Sequence, residues 1–132
     1  MKHLTKEQLK KDIEIRDLSD KNQGEHCMQL IMNEVINALK EYWNCPVTIY
    51  RENPIVTVED NYDKLKIDKE SVLRSELYTR YVDDNHVLRT MASVMVPKGL
   101  QSIKDDIKPN HLLACVGLVY RRDQIDRIHS GV

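Results

Sequence analysis

Phenylalanine is absent from this chain of 132 residues, and tryptophan occurs once. Leucine, isoleucine, valine, methionine and six tyrosines must therefore fill any interior. Three cysteines, Cys27, Cys45 and Cys115, lie far apart with no Cys-x-x-Cys or His-x-x-x-His spacing. That pattern argues against a structural zinc site or a disulfide framework, so Cys27 and Cys115 read as small buried hydrophobes. Charge of one sign is also lacking. Twenty basic and 21 acidic residues leave a net charge of −1, so any contact with a polyanion must be local. The longest apolar run, residues 112–119, is too short to span a bilayer. The N-terminus carries charges where a signal peptide needs an apolar centre, which makes the cytoplasm the expected compartment, with no membrane contact.

What remains is the composition of one ordinary soluble domain, 41% hydrophobic and 31% charged. Residues 1–24 are polar and read as an arm or short helix, with Thr5 and Gln8 at capping-box spacing. Residues 25–43 repeat apolar side chains at helical steps through Met28, Ile31, Val35, Ala38, Leu39 and Tyr42. A stripe this wide serves either a core or a dimer interface. Pro46 stops the helix. Val47-Thr-Ile-Tyr50 and Ile55-Val-Thr-Val58 flank a turn containing Pro54 and read as an antiparallel pair.

Residues 60–67 read as a packed surface loop pinned by Tyr62, Leu65 and Ile67. Residues 71–81 suit either helix or extended chain, and residues 87–90 look extended. Between 93 and 103 a helix is interrupted by Pro97 and Gly99; it either ends near Pro97 or starts there with proline at an early position. The run 112–119 suits a strand buried on both faces. The element order points to the α+β class, an antiparallel sheet flanked by helices.

Charge follows that last strand at once: Arg121, Arg122, Asp123, Asp126 and Arg127. A rigid element thus delivers guanidinium groups to its exit, and the planar fork of arginine can grip two phosphate oxygens together.

The stretch Gly117-Leu-Val-Tyr-Arg-Arg-Asp123, with Asp126 and His129 behind it, resembles motif 2 of class II aminoacyl-tRNA synthetases, most closely the phenylalanyl-tRNA synthetase α chain. Two upstream stretches agree in order. Leu88-Arg-Thr-Met-Ala-Ser93 is similar to the family's Leu-Arg-Thr-His-Thr-Ser, and Asn61-Tyr-Asp-Lys-Leu-Lys-Ile67 to its Asn-Phe-Asp-Ala-Leu-Asn-Ile. The resemblance covers residues 25–132, with the helix and strands after His26 in the place of motif 1, the family's dimer interface.

The resemblance implies an ATP site for amino-acid activation. Arg121 would contact the α-phosphate as the catalytic residue, Asp123 would orient the nucleotide or the arginine, and His129 would help cover the phosphates. Ser93 would lie at the amino-acid end of the pocket. Magnesium would accompany ATP with no protein ligand assigned, the chain would form a homodimer, and tRNA would be met through parts outside this chain. Met91 and Ala92 stand where the family has His and Thr, so a polar wall has become apolar and the amino acid accepted should change. Motif 3 is not in this sequence, so the domain is expected to be incomplete and inactive alone. A non-catalytic paralogue acting as a dimerisation or regulatory module is the alternative.

Overall fold

The computed structural model describes residues 2–123 and 125–128. Helices and strands are mixed. The chain forms two compact units, the first from Met1–Glu14, Asn53–Val94 and Val119–Val132, the second from Ile15–Glu52 and Met95–Leu118.

In the first unit, helix α1 (Lys6–Ile13) opens with the expected capping box: Thr5 Oγ1 accepts from the Gln8 backbone, and the Gln8 side chain accepts from the Thr5 backbone. The segment before it is tied down as well, since the Leu4 N–H donates to the Tyr81 carbonyl at 2.8 Å. Strand β2 (Ile55–Thr57) pairs antiparallel with β3 (His86–Leu88), placing Val56 opposite Val87. Val56, Val87, Tyr81 and Val94 form a small buried core, with Val58, Leu65 and Met91 packed against it.

The connection between β2 and β3 departs from the expected surface loop. Residues Glu59–Asp63 make a single π-helical turn in which Asp60, Asn61 and Tyr62 are buried. A long segment without a ladder must satisfy its polar groups otherwise, and here successive backbone turns do so together with side chains. Tyr62 donates to the Leu73 carbonyl at 2.9 Å and Tyr81 to the Arg74 carbonyl at 2.6 Å. Arg74 lies 4.9 Å over the Tyr62 ring and pairs with Asp63 at 2.6 Å.

In the second unit, β1 (Val47–Tyr50) runs parallel to β4 (Leu112–Cys115), with Val47 opposite Leu112 and Tyr50 opposite Cys115. The expected antiparallel pair of β1 with β2 therefore does not form. At Asn53 the side chain accepts from the Ile55 N–H at 2.9 Å, a local turn that sends β2 to a different partner. The run 112–119 also shortens to a four-residue strand whose residues are half-buried rather than buried on both faces. The sheets are thus one parallel and one antiparallel pair, not the single antiparallel sheet that the pattern suggested.

Helix α3 (Val96–Ile103) has Pro97 in its first turn, the second of the two expected arrangements. It sits close over β1 and β4: a Cβ on Gly99 would lie 3.0 Å from Leu113 and 3.3 Å from Tyr50. Helix α2 (Cys27–Trp43) starts at His26, whose Nδ1 accepts from the Met28 N–H at 3.1 Å, and ends at Asn44 in the left-handed conformation. Its apolar stripe is not covered: Leu30, Ile31, Val35 and Tyr42 are all exposed, Tyr42 at 84%. Cys27 is exposed too, against expectation, because it opens a helix with little over it; Cys45 is the buried thiol. Among the described residues, no helix is long and apolar enough to cross a membrane.

Candidate functional site

The site lies in the first unit, where residues 119–123 follow no strand ladder and are held by individual hydrogen bonds. The Tyr120 N–H donates to the Arg89 carbonyl at 2.8 Å and the Arg122 N–H to the Tyr78 carbonyl at 2.9 Å. From the side, Arg80 Nε donates to the Arg121 carbonyl at 3.1 Å. Tyr120 is buried and its hydroxyl reaches the Asp12 carbonyl at 3.3 Å. The alternation that buries Tyr120 turns Arg121 outward, with 65% of its side chain exposed.

Arg121 borders a cavity of about 390 Å³, lined also by Val72, Leu73, Tyr78, Thr79, Thr90 and Met91. Most of these walls are apolar, so one cation stands beside a largely greasy hollow, a common arrangement for holding a small ligand by one charged group. Asp123 meets Arg121 Nη2 at 3.1 Å. That contact engages one of the five N–H donors of the guanidinium fork.

Beneath the cavity lies a buried polar layer. Asn61, fully buried, donates from Nδ2 to Thr90 Oγ1 at 2.9 Å and accepts from the Thr90 N–H at 3.1 Å. The Tyr62 and Thr79 hydroxyls lie against each other and share the Leu73 carbonyl as acceptor, at 2.9 Å and 2.8 Å. Burial pushes the Tyr62 phenol above its ordinary range, and hydrogen bonds from Thr79, Thr90 and Asn61 oppose that in part. The phenol stays neutral and keeps the wall in place.

The residues singled out from the sequence are not all assembled. Arg121 and Asp123 meet. Ser93 is exposed in the short turn Ala92–Met95 and is not among the cavity's walls, whereas its neighbours Thr90 and Met91 are. His129 lies outside the described residues. Asn61, Tyr78, Thr79, Arg80 and Thr90 join the site only in the structure. A signal for two of them was available, because Asn61 and Thr90 sit inside the two upstream stretches that carry the resemblance. Among the described residues no group of three or more His, Cys, Asp or Glu side chains is placed to hold a metal ion.

Comparison with known proteins supplies the family. The family described as tRNA synthetases class II core domain (F) matches residues 10–132. The chain is 33% identical over 121 residues to the mitochondrial phenylalanine–tRNA ligase of Saccharomyces cerevisiae, an alignment covering 89% of this chain and 22% of that protein. Against the phenylalanine–tRNA ligase alpha subunit of Malacoplasma penetrans it is 31% identical over 109 residues, covering 81% of this chain and 30% of that one. The corresponding subunit of Mycoplasma pneumoniae is 28% identical over 100 residues, covering 76% and 28%. The chain thus spans less than a third of the length of these relatives. Along nearly its whole length, this chain belongs to the class II tRNA synthetase core-domain family, as a homologue of phenylalanine–tRNA ligases.

Proposed function

We propose that this chain contributes part of an ATP and amino-acid site in a protein that makes an aminoacyl adenylate, as the first step of an aminoacyl-tRNA ligase. The observation that carries the reading is Arg121, turned out beside an apolar cavity while its backbone is held at Tyr120, Arg121 and Arg122. In adenylation a substrate carboxylate oxygen attacks the α-phosphorus and pyrophosphate leaves with the electrons of the broken P–O bond. Negative charge builds on the non-bridging oxygens, and a preplaced guanidinium stabilises it without reorganising. Asp123 sets the direction of that guanidinium. ATP brings magnesium, which supplies further charge neutralisation on the phosphates when bound. His129 covers the phosphates, and the amino-acid end is served by Thr90 and Met91 in the cavity wall rather than by the exposed Ser93.

The amino acid is phenylalanine or another one, and Met91, in the cavity wall where the family has His, is the residue that sets the choice. The protein acts in the cytoplasm, and tRNA is met through parts outside this chain. The exposed apolar stripe of α2 supports dimerisation with a second copy, since Leu30, Ile31 and Val35 are each more than half exposed. The non-catalytic alternative draws on Met91 and Ala92 and keeps only that interface.

The test is amino-acid-dependent ATP–pyrophosphate exchange by the full natural gene product, one standard amino acid at a time. Exchange with one amino acid, abolished in Arg121→Ala, establishes adenylation and names the substrate. No exchange with any of them, from a folded protein, moves the assignment to the non-catalytic module.

A further inference from the structure

Arg80 sits between a buried carboxylate and the backbone of Arg121. Its Nη1 donates to Asp12 Oδ1 at 2.6 Å, and its Nε donates to the Arg121 carbonyl at 3.1 Å. The Leu88 N–H fixes Arg80 from behind by donating to its carbonyl at 3.0 Å. Asp12 is 6% exposed, and the carbonyl of the same residue accepts from the Tyr120 hydroxyl. One residue in the last turn of α1 therefore contacts both supports of Arg121: directly the tyrosine before it, and through Arg80 its own peptide.

A buried carboxylate is costly to leave unpaired, and Asp12 Oδ2 already has no hydrogen-bond partner among the described residues. Asp12 therefore holds the Arg80 guanidinium in one orientation. The planar fork then passes that orientation to the Arg121 carbonyl, because its Nη1 and Nε directions are rigidly related. Helix α1 begins at Lys6, before the matched family region starts at residue 10. We propose that Arg80 and Asp12 are positioning residues that couple α1 to the aim of the Arg121 side chain, and so tune nucleotide affinity without touching nucleotide. This rests on the reading of Arg121 as the ATP-contacting residue.

The test measures ATP dissociation constants by calorimetry on the full natural gene product, for wild type, Arg80→Lys and Asp12→Asn. Each single substitution is also placed in an Arg121→Lys background. Lysine keeps the charge beside Asp12 and lacks the fork, and asparagine keeps the shape and lacks the charge. Each single variant is expected to weaken ATP binding about tenfold, as a small misplacement of a ligand-gripping group does, with the amino-acid KM unchanged. In the Arg121→Lys background the same substitutions should add little further loss, because their effect runs through the side chain already altered.

Full additivity in that background, or losses that follow the melting temperature alone, assign Arg80 a merely structural role and overturn the inference. Unchanged affinity in both single variants overturns it as well, leaving the ATP reading intact. A folded wild type that binds no ATP overturns the inference together with the reading beneath it.

Discussion

Asn61 and Thr90, 29 positions apart in the chain, are joined by two hydrogen bonds, one from Nδ2 to Oγ1 at 2.9 Å and one from the Thr90 N–H to Oδ1 at 3.1 Å. Thr90 is thereby fixed in both backbone and side chain at the cavity wall. A carboxamide is suited to the task, since it can donate and accept at once. Asn61→Ala removes both bonds and leaves buried groups unpaired, so unfolding free energy should fall by about 2 kcal/mol. Urea denaturation reads this directly, and a loss below about 0.5 kcal/mol would show that the pair is incidental.

Arg121→Ala should leave stability almost unchanged, within about 0.5 kcal/mol, because an exposed ion pair contributes little. Nucleotide binding by the complete protein should be lost. Parallel thermal melts and ATP titrations separate the two, and a variant that melts like wild type yet still binds ATP contradicts the assignment.

Alkaline pH should destabilise the fold through its tyrosines. Burial is the main cause that raises the Tyr62, Tyr81 and Tyr50 phenols above their ordinary range. The sign follows from linkage: with the folded value above the unfolded one, the stabilisation is fully present below about pH 10 and is lost as pH rises through the folded value. Urea midpoints between neutral pH and pH 11 should fall steeply at the upper end. In Tyr62→Phe the alkaline fall should be shallower, with a lower neutral-pH stability from the lost bond to Leu73.

Helix α2 offers a direct test of assembly. Val35 is 53% exposed in the middle of its stripe, so Val35→Asp costs the monomer little. If a second copy covers this face, the aspartate shifts sedimentation from dimer to monomer while helical circular dichroism persists. A wild type that sediments as a monomer at all concentrations removes the dimer proposal.

Local chemistry was legible where it is decided by neighbours. The capping box of Thr5 and Gln8, the stop after Trp43 and the early proline of α3 all follow from hydrogen bonds or steric limits within a few residues. Arg121 could be picked out because motif 2 places it after an apolar run, in a stretch short enough to read. Arg80, Thr79 and Tyr78 carry no such pattern. Arg80 and Tyr78 are held by residues about 40 or more positions away, Arg121, Asp12 and Arg122, and Thr79 by Tyr62 across an irregular loop; no periodicity reports such partners.

The sequence by itself determined where the helices start and stop and that charge follows the last apolar run at Arg121. It also determined the family, since three ordered motifs survive in one chain. Only the tertiary structure decided which strands pair, that the stripe of α2 lies open, and that Asp12 of a polar N-terminal helix is buried against Arg80. Strand propensity says that a segment extends, whereas its partner is chosen by long-range hydrogen bonds and burial, which become available only after the chain has closed on itself.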